Sequence, residues 1–186
     1  DEILRQPAPP EAMRYVTGTW RYARGLAYVA SGRRVEAEQE LTALRAVQRG
    51  VPADRMIASF FTTADMLTLA AETLAGEIAV RDADAAVGHL AEAVRLQDRH
   101  WFTEPPPWYY PVRQSLGFAL LQAGRAAEAE AVYREDLRRN PENGWSLFGL
   151  AQSLRAQGRS AGAAAVEARF RLAWARADVA LTSSRL

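Results

Sequence analysis

Cysteine and lysine are both missing from this sequence. Without cysteine there is no disulfide framework, no thiol nucleophile and no thiolate metal site. Without lysine, all 23 basic residues are arginine, which excludes a Schiff-base lysine and the phosphate-binding lysine of a P-loop. A surplus of one charge sign is lacking as well. The 23 basic residues face 22 acidic ones, for a net charge of +1, so electrostatics give no reason to expect nucleic acid as a partner. No apolar run approaches the roughly 20 residues that span a bilayer. The expected compartment is the cytoplasm, with the periplasm open because a cysteine-free chain suits either. No Met precedes Asp1 and no signal-like segment follows it, so the chain reads as a portion of a longer protein or a processed one. The Arg-only, Ala-rich composition fits a GC-rich bacterial genome.

Among what is present, 186 residues at 49% hydrophobic suffice for one domain or a short repeat array with a continuous core. The repeat is visible. Gly32-Arg33, Gly124-Arg125 and Gly158-Arg159 each follow a small residue seven positions earlier: Gly25, Gly117 and Ala151. Five positions after each Gly comes Ala37, Ala129 or Ala163, and Gly124 to Gly158 is a spacing of 34. Small residues in the first helix and early in the second let two antiparallel helices approach closely. A Gly between them supplies the left-handed backbone that ends one helix and begins the turn, and Pro141 marks the break before the next unit.

These residues resemble the tetratricopeptide repeat: Leu116, Gly117, Leu120, Gly124, Ala129, Tyr133 and Pro141, then Leu150, Ala151, Leu154, Gly158 and Ala163. The resemblance is strongest over 110–177. In the first half, Trp20 to Tyr28 reads as a first helix and Val35 to Val47 as its partner. A further pair covers about 64–80 and 84–97, where Arg81-Asp82 replace the turn Gly. Insertions at 50–62 and 100–107 interrupt the array. Thr63 and Asp84 are candidate N-caps, and Asn140-Pro141 ends a helix. The segments Glu104 to Gln114 and Arg134 to Gln152 are also similar to the C-terminal region of large bacterial tetratricopeptide proteins without an assigned activity. The fold the resemblance implies is all-α: a right-handed superhelical stack of about four antiparallel helix pairs, at about 11–49, 63–99, 108–140 and 142–178, in one array over 1–186 with no strand. The residues from Val179 to Leu186 fray or fold back on the array.

Chemistry is sparse. His100 and Glu104 are spaced to share a metal, but no further ligand is near, and three or four are needed; no metal, cofactor or catalytic residue is expected, and His89 reads as a surface residue. The carboxylates, Glu135-Asp136 among them, read as solvated helix faces with i,i+4 partners such as Glu130 and Arg134. Ser59, Ser115, Ser146 and Ser153 lack a nucleophile-elbow setting. Trp101, Phe102, Trp108, Tyr109 and Tyr110 flank Pro105-Pro106-Pro107. They either fill the gap made by the insertion or offer a platform for a peptide or aromatic ligand.

In the family the first helices of the pairs line a concave groove. The resemblance therefore implies an inner surface of Gln114, Phe118, Leu121 and Gln122, then Trp145, Phe148, Gln152 and Arg155, with Tyr22, Leu26 and Val29 from the first pair. Arg113 and Arg155 are candidates to pair with a ligand carboxylate. The expected binding set is Tyr22, Trp108, Tyr109, Arg113, Gln114, Trp145, Phe148, Gln152 and Arg155. The expected role is a protein-interaction scaffold, not an enzyme. Its partner would be a protein or peptide, or the missing N-terminal part of its own chain. Self-association as a homodimer is the alternative, and a small-ligand site near the Pro/aromatic insertion a third.

Overall fold

The computed structural model describes residues 2–58, 61–99 and 106–185. His100 to Pro105 and Ser59 lie outside the described residues. The structure divides into two compact units, Asp1–Tyr110 and Pro111–Leu186.

The first unit opens with a single helical turn, α1 (Glu2–Arg5), followed by the pair α2 (Arg14–Ala30) and α3 (Arg34–Arg49). Two short strands, β1 (Met56–Ala58) and β2 (Phe61–Thr62), then lead into α4 (Thr63–Ile78) and α5 (Ala83–Arg99). The second unit holds α6 (Arg113–Gln122) with α7 (Ala126–Arg139), and α8 (Gly144–Ala156) with α9 (Ser160–Ala173). The fold is all-α, and among the described residues α2–α3, α4–α5, α6–α7 and α8–α9 are four consecutive helix pairs. The expectation of no strand is corrected by β1 and β2, which pair antiparallel with Met56 opposite Thr62.

The three Gly-Arg turns share one geometry. Gly32, Gly124 and Gly158 each have φ of 72°. In each, the Gly N–H bonds the carbonyl three residues back and the Arg N–H the one five back, at 3.0 and 2.8 Å for Gly32 and Arg33. That double closure satisfies the last carbonyls of the first helix, and the left-handed residue it needs is the Gly. The Ala five positions on is sealed: Ala37 and Ala129 are 0% exposed, so each pair meets at a methyl group.

Where the turn Gly is missing, side chains substitute. Asp82 accepts from the Ala85 N–H at 3.2 Å, capping α5. At α4 the cap is Thr62, whose hydroxyl accepts from the Asp65 N–H at 3.0 Å while Asp65 accepts from the Thr62 N–H, a reciprocal capping box. The expected caps Thr63 and Asp84 are thus each corrected to a residue nearer the N-terminus, and Thr63 is buried.

The core of the first unit is built around α4, which touches α2, α3 and α5 and is buried along most of its length. Its contact with α2 is set by two glycines and two leucines at matched spacing. A Cβ on Gly18 would stand 2.3 Å from Leu67, and one on Gly25 2.4 Å from Leu74. Either side chain would force the helices apart.

Candidate functional site

In the second unit a buried polar arrangement is built around one ring. Tyr133 of α7 is 0% exposed. Its ring passes between α6 and α8 through a slot made by Gly117 and Gly149, where a Cβ would approach it to 2.3 and 2.2 Å. Tyr133 roots in α7 and its ring lies against Gly117 of α6 and Gly149 of α8, so its hydroxyl sits on the side of these helices away from α7, the side that the repeat resemblance makes the inner face. There it meets Ser184, at 2.5 Å between hydroxyl oxygens. Ser184 Oγ also donates to the Gln114 carbonyl at 3.3 Å and is 0% exposed. Next to it, the Arg185 guanidinium stands 5.1 Å above the centre of the Phe118 ring, a cation–π distance. Burial pushes the Tyr133 phenol far above its ordinary range, and the bond with Ser184 offsets only part of that.

The chain returns to this face because Trp174 turns it. The indole N–H of Trp174 donates to the Val179 carbonyl at 2.7 Å. Its ring stacks on Phe170 at 5.8 Å and meets Trp145 edge-on at 5.7 Å. A Cβ on Gly144 would come within 2.2 Å of that ring, so the residue opening α8 has to be glycine. Of the two expectations for the residues after α9, the structure takes the folded-back one.

The expected binding residues separate into three groups. Tyr22, Trp108 and Tyr109 form a cluster in the first unit. Tyr22 is 4% and Trp108 6% exposed, with ring centres 5.3 Å apart and the Tyr22 and Tyr109 hydroxyls bonded at 3.1 Å. Burial, then the neighbouring Tyr110 and Tyr109, raises the Tyr22 phenol well above its usual pKa. Tyr22 and Trp108 are packed inside the cluster; of the three, Tyr109 presents its ring outward.

Arg113 and Gln114 are buried at 7% and 2% exposure. The Gln114 amide donates to Asn143 at 3.1 Å, and it is its backbone carbonyl that serves the inner face. Arg113 contributes its charge to Asp136. Asp136 is itself a correction, since it is not a solvated carboxylate but 1% exposed, bonded by Asn140 at 2.9 Å and by the Ser146 hydroxyl. Burial raises its pKa, and the Ser146 and Asn140 bonds and the Arg113 charge counter this only in part.

Trp145, Phe148, Gln152 and Arg155 lie along α8. Phe148 packs on Phe170 of α9 at 5.6 Å. Arg155 pairs with Glu167 of α9. Phe148 and Arg155, with Ala151, Glu167, Phe170 and Arg171, line a cavity of about 220 Å³. Gln152 is half-buried and Arg155 exposed. Tyr133, Ser184 and Arg185 were absent from the expected set. Tyr133 was legible as a repeat position but not as a hydroxyl on the inner face. Nothing local in the sequence ties Ser184 to it, 51 residues away.

Among the described residues no His, Asp and Glu grouping could hold a metal, and no helix is long and apolar enough to cross a membrane. His89 Nδ1 lies 2.7 Å from Glu72, and Arg134 bonds Glu130 at 2.8 Å as expected from their i,i+4 spacing.

No protein-family model matches the chain, and no curated protein matches it. Among solved structures, MamA AMB-1 is similar at 21% identity, with a TM-score of 0.46 over 83% of this chain and 97% of MamA. A mutant of MamA is similar at 20% identity and a TM-score of 0.38, over 85% of this chain and 98% of that one.

Proposed function

We propose that the chain is a protein-interaction scaffold that holds an extended peptide segment on the inner face of its second unit. The observation that carries this reading is the seating of Ser184 and Arg185 on that face. A non-helical stretch of chain already finds there a buried polar socket, made by Tyr133 and the Gln114 carbonyl, and an aromatic ring for a guanidinium. A surface that accepts one such segment has the shape and the hydrogen-bonding groups to accept another. A cavity between α8 and α9, lined by Phe148, Arg155, Glu167 and Phe170 among others, offers a second contact sized for a single partner side chain, with Arg171 at its edge for a carboxylate.

The test is site-specific photocrosslinking in the producing cells. A photoreactive residue at position 118 or 155 should capture one defined protein, which the same probe at Arg138, an exposed site on α7, does not. Identical capture patterns from all three positions would overturn the reading. Self-association is the second reading, favoured by the same segment, which on a neighbouring copy would make a dimer. The Trp174–Val179 bond opposes it by closing the turn within one chain.

A further inference from the structure

This inference rests on the reading of the inner face as a peptide-binding surface and names its occupant. We propose that the segment after α9 is a built-in ligand of that face, and that an outside partner displaces it by presenting the same chemistry, a small hydroxyl residue followed by arginine.

The preference follows from the socket. Beneath Ser184 lie two polar groups shut off from water, the Tyr133 hydroxyl and the Gln114 carbonyl. The carbonyl accepts only. Ser184 Oγ donates to it, so Tyr133 donates to Ser184, and the chain of bonds closes. A hydroxyl is the side-chain group that accepts and donates at once in so small a space. Alanine would leave the buried Tyr133 hydroxyl without its partner, and a carboxylate would face the Gln114 carbonyl with nothing to donate. Residues with larger side chains are excluded because the site is fully closed over Ser184. At the following position, a planar guanidinium stacks on Phe118 better than a compact ammonium does.

The segment is also built to leave. It is held at Val179 by the Trp174 indole and at Ser184, while residues 175–180 between α9 and the socket are exposed. A stretch with few buried contacts opens at low cost compared with the helices beneath it. A tethered ligand of this length acts at an effective concentration of about a millimolar. If the free peptide binds with a Kd of about 0.1 mM, the tether lowers the apparent affinity of a competitor about tenfold.

The experiment uses the full chain and a labelled synthetic peptide of residues 178–186, followed by fluorescence anisotropy. An opened variant carries Ser184→Leu with Arg185→Glu. Both positions lie outside the helices, and matched thermal melts check that the fold is kept. The expected result is binding to the opened variant about tenfold tighter than to the parent, lost when the peptide itself carries Ser184→Ala or Arg185→Glu. Equal binding to both proteins, or none to the opened variant at millimolar peptide, overturns the proposal. A parent that is dimeric while the opened variant is monomeric also overturns it, because the segment would then be exchanged between copies. Absent peptide binding alongside intact partner crosslinking from position 118 defeats this inference alone; loss of both defeats the underlying reading too.

Discussion

Replacing Gly117 with alanine tests the slot through which Tyr133 reaches the inner face. The new methyl would stand 2.3 Å from Tyr133 Cζ and 2.6 and 2.8 Å from the two Cε atoms. Carbon atoms rest at about 3.5–4.0 Å, so the overlap is about 1.2 Å or more. The ring has no retreat, because Gly149 closes the other side at 2.2 Å from a virtual Cβ and the hydroxyl is tethered to Ser184. Overpacking of this kind costs about 1–3 kcal/mol, and the severity places it at the upper end. Alanine's better helix propensity returns about 1 kcal/mol. The net expectation is a loss of about 2 kcal/mol. Stacked helix pairs do not unfold as one body, so urea titration by circular dichroism should be joined to amide exchange over α6 and α7. Tyr133→Leu removes the obstructing ring, and the double variant should lose less than the sum of the singles by about 1–2 kcal/mol. Gly158→Ala is the contrasting control. Nothing lies within 4 Å of its virtual Cβ, so only the φ of 72° opposes it, at a cost of about 1 kcal/mol. A Gly117→Ala variant as stable as the parent, or strict additivity with Tyr133→Leu, would refute the slot.

Two further outcomes are expected. Glu40, 5% exposed, receives Arg21 at 2.9 Å and Arg24 at 2.7 Å, so Glu40→Gln should lower the first unit's stability by about 2 kcal/mol, a figure reduced for the partly exposed arginines; an unchanged denaturation midpoint would refute the pairing. Burial raises the Asp136 pKa, so the folded chain holds this proton longer than the unfolded one, and the stability this residue contributes falls as pH rises from the unfolded value of about 4 through the folded one. Asp136→Asn cannot ionise, and paired thermal melts across that window should show the parent losing stability relative to the variant; parallel pH profiles would refute it.

Much of the fold was legible because the information is local. A glycine that must be left-handed, a small residue seven positions before it and an alanine five positions after it describe one helix hairpin, and all three Gly-Arg turns adopt the same closure. The expected caps Thr63 and Asp84 missed the observed Thr62 and Asp82 by one and two residues, because helix starts depend on which side chain reaches which N–H. The ribbon at β1 and β2 was missed because two such short strands carry no periodicity. The candidate site was far less legible. Tyr22 and Trp108 suit a binding surface by type, yet large amphipathic rings near an insertion serve equally well to seal it, and the sequence carries no signal that separates the two. Asp136 sits in a charged helical run that reads as solvated, and only the packing of α7 on α8 encloses it.

The sequence by itself determined the all-α class, the four hairpins and their turns, and the absence of cysteine and lysine chemistry, because each follows from residue type and short-range spacing. Tertiary structure alone decided which side of the second unit carries a polar socket and what fills it. That socket is made of a hydroxyl from α7, a carbonyl from α6 and a serine beyond α9. Groups so far apart in the chain share no local signal, and they are brought together by the close approach of helices at Gly117, Gly149 and Gly144.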